Sequence, residues 1–240
     1  SIHKKFLKLI TGKKILITGG SSGLGKSLAI KLANNRNDIF CIGRTLVKGK
    51  NIISVKCNFN NLNDIKKKLQ LLRIKKLDYV FLNAGILGDL KDITKIKSNE
   101  IFQILKINVL ANKQILDFFI KKKIPIKLII GISSGAALSP KFGWYLYCCS
   151  KSAFKFLLES YALEDNQRKY INISPGLIKT KMQKKICSVN EKKFPSVKKF
   201  KFLNKSNKVP SPDEVAENLI KKVKGLKKFQ SGSYIDIRKE

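Results

Sequence analysis

The chain has 240 residues, 43% of them hydrophobic and 28% charged, enough for a large α/β domain with a substantial core; no apolar run approaches the ~20 residues that a membrane span needs. Its formal charge is +34, from 50 Lys and Arg against 16 Asp and Glu. The lysines run from Lys4 to Lys239 among abundant Asn and Ile and little Arg, which reads as coding bias and not as the concentrated, aromatic-interleaved patch of a nucleic-acid or acidic-membrane binder.

Apolar runs and helical patterns alternate along the chain. KKILITG (13–19) is a short buried strand entering a glycine-rich turn, and Ser22 to Asn34 follows as a helix with Leu24, Leu28, Ile30 and Leu32 inward. DIFCIGR (38–44) and NIISVKCN (51–58) read as strands, NLNDIKKKLQLL (61–72) as a helix, and LDYVFLNAG (77–85) as a fourth strand. Ser98 to Lys123 is a long helix with Ser98 expected as its N-cap, and Pro125 separates it from the strand IKLIIGISSG (126–135). Tyr145 to Glu164 is a second long helix and YINISPG (170–176) a strand. The segment Lys179 to Lys208 is lysine-rich, weakly periodic and broken by Pro195, so it is expected to be an irregular substrate loop or lid. A helix over 211–228, with Pro212 in its first turn, and a strand over 231–237 complete the chain.

Continuous β-branched strands separated by helices predict a parallel sheet covered on both faces, hence one doubly wound, Rossmann-type domain over residues 1–240. The five cysteines, Cys41, Cys57, Cys148, Cys149 and Cys187, form no C-x-x-C pair and have one His to help them, so reduced thiols and no metal site are expected. The N-terminus shows no apolar signal region, and a cytoplasmic location follows as an expectation.

The turn TGGSSGLG (18–25) sets glycines at Gly19, Gly23 and Gly25, where bare backbone approaches a pyrophosphate and the next helix aims its N-terminus at it. The neighbouring Ser21, Ser22 and Leu24 belong to the same cradle, and Lys26 is a further candidate contact. The second strand ends at Gly43 and Arg44, where an acid would select the ribose 2′-hydroxyl of NADH; Arg44 instead offers a bidentate partner for a 2′-phosphate, which points to NADPH. Tyr147 and Lys151 stand four apart on one helix face, and Ser134 closes an apolar strand at its carboxyl end. A phenol near pKa 10 is a slow acid at neutral pH. A neighbouring ammonium is expected to lower that pKa, so that Tyr147 protonates a carbonyl oxygen as hydride reaches the carbon.

These pieces in this order resemble the short-chain dehydrogenase/reductase family over essentially the whole chain: TGGSSGLG (18–25), LNAG (82–85), INV (107–109), ISSG (132–135), YCCSK (147–151) and SPGLIKT (174–180). Pro140 and the Gly143-Trp144 pair before the tyrosine look most like its sepiapterin reductase and benzil reductase branch. The resemblance implies a seven-stranded parallel sheet and a tetrad of Asn108, Ser134, Tyr147 and Lys151, with Asn108 holding a water in a relay to Lys151. It implies that Asn83, Ala84 and Gly85 line the adenine-ribose side and that Asn58 and Phe59 face the adenine, with Asn58 where the family usually has Asp. Pro175, Gly176, Ile178 and Thr180 would approach the nicotinamide, which Lys151 also reaches through the ribose. The expected activity is reduction of a ketone, aldehyde or diketone with NADPH, by a homodimer or homotetramer. An alcohol dehydrogenase of the same fold, or a non-catalytic nucleotide- or nucleic-acid-binding protein, are the alternatives. Phe142, Trp144 and Leu138 are candidate walls of the substrate side, with core packing the alternative for each.

Overall fold

The computed structural model describes residues 10–191, 194–206 and 208–239. His3, Lys4 and the rest of the N-terminal nine residues lie outside the described residues, as do 192, 193 and 207 of the lysine-rich segment.

Seven strands form one parallel sheet: β1 (Lys14–Thr18), β2 (Asp38–Gly43), β3 (Ile52–Lys56), β4 (Leu77–Leu82), β5 (Ile126–Ile132), β6 (Lys169–Ser174) and β7 (Tyr234–Asp236). The order across the sheet is β3-β2-β1-β4-β5-β6-β7, so the winding reverses between β1 and β4. The central strands are buried along nearly their whole length, which is why they read as continuous apolar runs instead of alternating ones. Helices α1 (Gly23–Asn34) and α8 (Pro212–Lys222) cover one face, meeting a core of Leu28, Leu32, Leu219 and Val223. Helices α2 (Leu62–Leu71), α3 (Ser98–Leu105), α4 (Ala111–Lys121) and α5 (Tyr145–Glu164) belong to the other, whose core holds Leu69, Phe119, Phe154, Leu158 and Tyr170. None of the helices, among the described residues, is long and apolar enough to cross a membrane.

Four expectations change at the level of elements. The helix expected over 98–123 is broken by a turn of π-helix at Lys106–Leu110, with Asn108 at its centre. Its N-cap is Lys97, not Ser98, because the Glu100 carboxylate reaches back to accept the Lys97 N–H at 3.0 Å. Ile30 is half-buried at the rim of α1, while Leu24, Leu28 and Leu32 are inside. The lysine-rich segment is not irregular: it carries α6 (Lys181–Cys187) and α7 (Ser196–Lys205). Pro195 starts α7 instead of breaking a helix, since a proline at a helix start lacks only an N–H that would have no partner there.

Gly131 shows how closely α5 sits on the sheet. A methyl added there would lie 2.2 Å from Leu158 Cδ1 and 2.9 Å from the Phe154 ring, both deep in the core. Gly131→Ala is therefore expected to lose about 1–3 kcal/mol of stability by overpacking, read as a Tm lower by several degrees in thermal denaturation; an unchanged Tm would mean that α5 packs less tightly.

Candidate active site

The carboxyl ends of the parallel strands share one rim, where ligands of open α/β sheets bind. Along that rim runs a cleft of about 970 Å³. At one end β1 turns through Gly19 (φ 69°) and Gly23 (φ 52°) into α1, conformations that favour glycine. Ser22 caps α1 with its backbone alone and α1 has no acid in its first turn, so its leading N–H groups are available to an anion. Ser21, Ser22, Gly23 and Leu24 line the cleft here. Gly25 does not line it: a Cβ at Gly25 would stand 2.3 Å from the Gly19 carbonyl oxygen and 2.4 Å from Asn83 Nδ2, so this glycine allows helix and strand to touch. Lys26 is exposed and outside the lining.

Gly43, Arg44, Asn58, Phe59 and Asn60 line the far end, and Arg44 is exposed with no carboxylate among the lining residues. Asn83, Ala84 and Gly85 form the floor. The Asn83 side chain gives its N–H to Thr18 O at 3.0 Å, which fixes the floor to the glycine turn. Pro175, Gly176, Ile178 and Thr180 form the opposite wall. Thr180 caps α6 by accepting the Gln183 N–H, and its methyl lies against Gly23. A bare-backbone cradle, a helix N-terminus and a long cleft with amide and hydroxyl walls fit a dinucleotide.

Ser134, Tyr147 and Lys151 meet in the middle of the cleft. The Tyr147 phenol shares the cleft lining with the Ser134 hydroxyl, whose oxygen accepts the Ala136 N–H at 3.1 Å and whose neighbourhood opposes the rise of the phenol pKa. Lys151 Nζ donates to Ile132 O at 2.8 Å and stands 5.8 Å from the Tyr147 ring centre. The expectation that the ammonium lowers the phenol pKa is corrected here. Burial dominates and pushes Tyr147 up to about 12, with Ser134 opposing it. Burial likewise pushes the Lys151 ammonium down to about 8.

Asn108 sits beneath the cleft and does not line it. Its Oδ1 accepts the Ile86 N–H at 2.8 Å, and its Nδ2 donates to Ile86 O and to Ser150 Oγ, both at 2.9 Å. Ser150 Oγ donates in turn to Tyr147 O, so the amide ties the π-turn to the turn of α5 that carries the tyrosine. Asn112 Nδ2 donates to the Asn108 carbonyl at 2.8 Å.

At the other end, Trp144 packs against Phe200 of α7, ring centres 5.1 Å apart, with Met182 and Ile186 nearby in the same small core. Trp144 thus lines the cleft, whereas Phe142 and Leu138 are exposed and face a separate hollow behind the 135–143 loop. Sequence reasoning did not single out Met182, Phe200, Leu203, Lys181, Lys199 or Arg238, which also line the cleft. Arg238 was findable, since β7 is parallel to the rest and its carboxyl end must open on the same rim. Among the described residues no cluster of His, Cys, Asp and Glu could hold a metal, and all five cysteines are free thiols.

Strand order, glycine cradle and cleft define an α/β domain of the dinucleotide-binding type. The short chain dehydrogenase family profile matches residues 13–191, and the chain belongs to that family, whose members use nicotinamide cofactors. It is 27% identical over 245 residues to a benzil reductase ((S)-benzoin forming) from Bacillus cereus, covering 93% of this chain and 98% of that one. A Bacillus subtilis protein of the same description is 26% identical, over 93% of this chain and 97% of its own. A 3-oxoacyl-[acyl-carrier-protein] reductase from Rickettsia typhi is 33% identical over 76% of this chain and 78% of its own. A solved short chain dehydrogenase/reductase from Saccharomyces cerevisiae superposes with a TM-score of 0.85 at 23% identity, over 94% of this chain and 96% of that one, a likeness of fold.

The buried ammonium has a measurable consequence. Lys151 falls from 10.5 to about 8 on folding, so between pH 8 and 10.5 the unfolded chain holds more protons and stability rises with pH. Relative to Lys151→Met, which lacks the group, wild-type protein should gain up to about 3 kcal/mol across that window in denaturant titrations; a flat difference would place the ammonium in water.

Proposed function

We propose that the protein is an NADPH-dependent reductase of a ketone, aldehyde or diketone, working as one nucleotide-binding unit in which the 179–208 segment closes the substrate end. The observation that carries this reading is the meeting of Ser134, Tyr147 and the buried Lys151 in one cleft, whose far end offers Arg44 and, among the described residues, no carboxylate. Similarity along nearly the full chain to two benzil reductases supports a carbonyl substrate.

Gly19, Ser21, Ser22, Gly23 and Leu24 would hold the diphosphate, Gly25 keeping the turn closed. Arg44 would take the 2′-phosphate through its planar fork. Asn58 and Phe59 would hold the adenine, and Asn83, Ala84 and Gly85 its ribose side. Pro175, Gly176, Ile178 and Thr180 would hold the nicotinamide end. When bound, a dihydronicotinamide would supply the hydride that reduces the carbonyl. Ser134 orients the carbonyl oxygen by hydrogen bonding, and the Tyr147 O–H bond breaks as its proton passes to that oxygen. A phenol held near 12 is fully protonated at neutral pH, so Tyr147 is loaded as an acid, and the alkoxide forming at the substrate is the stronger base. Lys151 returns a proton to the phenolate and hydrogen-bonds the nicotinamide ribose. Asn108 holds the Tyr147 turn through Ser150 and supports a relay water on the Lys151 side. A cytoplasmic home and self-association through the exposed Phe156 and Leu163 of α5 complete the reading.

Two measurements test it. Tyr147→Phe should keep NADPH affinity and lose roughly 10²–10⁴-fold in kcat for NADPH oxidation with a diketone, the scale of a removed general acid; a loss below threefold would assign the proton to another group. Arg44→Ala should cost about 10–100-fold in kcat/KM for NADPH and little for NADH; a wild-type enzyme with the lower KM for NADH would refute the cofactor assignment.

A further inference from the structure

Among the described residues the charges lining the cleft all have one sign: Arg44, Lys141, Lys151, Lys181, Lys199 and Arg238 line it, and no described Asp or Glu does. Lysine-rich composition explains how many cations the chain has, but not where its few carboxylates go. Around the mouth those carboxylates are taken: Asp89 by Lys185 at 2.8 Å, Glu100 by Lys91 at 2.7 Å, Asp92 by Lys95 at 3.2 Å and Glu191 by Lys201 at 3.6 Å. Asp236 is held by Arg238. None of them pairs with Lys141 or Lys199 among the described residues.

These two lysines belong to the substrate end. Lys141 is on the loop before α5, three residues ahead of Trp144, and Lys199 is on α7, one residue before Phe200. Trp144 and Phe200 pack ring on ring at 5.1 Å, and the Ser196 hydroxyl donates to Phe142 O at 3.5 Å. The two walls are therefore joined, and each carries one of the lysines into the cleft lining, Lys141 Nζ donating to Ser139 Oγ at 3.4 Å. A dinucleotide phosphate group would neutralise the Arg44 end but leave Lys141 and Lys199 uncompensated. Like charges in a low-dielectric cleft focus their field on an incoming anion. The Trp144 indole N–H, moreover, is buried without a partner beside this space.

We propose that the substrate of the reductase reading above is a ring-bearing, apolar carbonyl compound that carries an anionic group, a carboxylate or a phosphate, lodged between Lys141 and Lys199. The apolar body lies along Trp144, Phe200, Met182 and Ile186, and the carbonyl reaches Ser134 and Tyr147.

The test compares NADPH oxidation with benzil, benzil bearing a para carboxylate, and benzil bearing a para phosphate monoester. The charged compounds should exceed benzil in kcat/KM by about tenfold at low salt, and the larger gain identifies the anion. That ratio should fall toward one in about 1 M NaCl, where the screening length is about 3 Å. It should also fall toward one in the Lys141→Gln, Lys199→Gln double variant. Because the ratio is taken within each protein, partial unfolding of a variant scales both rates alike and leaves it unchanged. A ratio near one in the wild type, or a ratio that survives the double substitution, overturns the anionic assignment while leaving the reductase reading standing. No NADPH oxidation with any of the three overturns the reductase reading and this inference with it.

Discussion

At the seam between β1 and β4, where the strand order reverses, the fully buried Thr18 hydroxyl accepts two backbone N–H groups, from Asn83 and Ala84, each at 2.9 Å. Asn83 returns its side-chain N–H to Thr18 O. Strands that part at a switch point would leave a gap lined with orphan amides; here one hydroxyl and one carboxamide satisfy them. The seam holds the glycine turn on one side and the Asn83–Gly85 floor on the other at a fixed separation. The cleft exists because those two pieces cannot close on each other, and the rest of the rim is arranged around it.

A second buried linkage holds the turn that carries Tyr147. The π-turn in the middle of the 98–121 helix adds a residue to the turn, and Asn112 reaches back to the Asn108 carbonyl. It also turns the Asn108 side chain inward, where it meets Ile86 and Ser150. Through Ser150 the same chain of bonds ends on the carbonyl of Tyr147. The tyrosine is thus positioned by Asn108 and Ser150, neither of which lines the cleft. Each is buried and partnered, so a loss anywhere along the line leaves a polar atom without its bond.

The parallel sheet was legible because buried strands and amphipathic helices alternate, and the glycine turn and the Tyr147–Lys151 pair because their spacing has one geometric meaning. Three things were not. The π-turn leaves the apolar period of 98–123 almost unchanged, so nothing marks it but an asparagine. Helices α6 and α7 were hidden because lysines crowd both of them and Pro195 looks like a breaker when it is a start. The direction of the Tyr147 shift was missed because proximity in sequence promises a charge nearby, while desolvation depends on how completely α5 is packed, which only coordinates show.

Burying the Lys151 ammonium costs stability at neutral pH, whereas Tyr147 holds its proton in the folded and the unfolded chain alike and its raised pKa costs nothing there. A chain free of other demands would place Met where Lys151 stands, with none of the penalty. The site instead keeps a phenol that holds its proton at neutral pH next to an ammonium close to releasing one. In a reductive reaction that is the useful arrangement, since the phenol donates only when an alkoxide appears and the amine can then refill it. The opposite shifts of the two groups share one cause, desolvation by burial. On the reductase reading, the packing that buries these two groups therefore sets their proton affinities as well as the shape of the pocket.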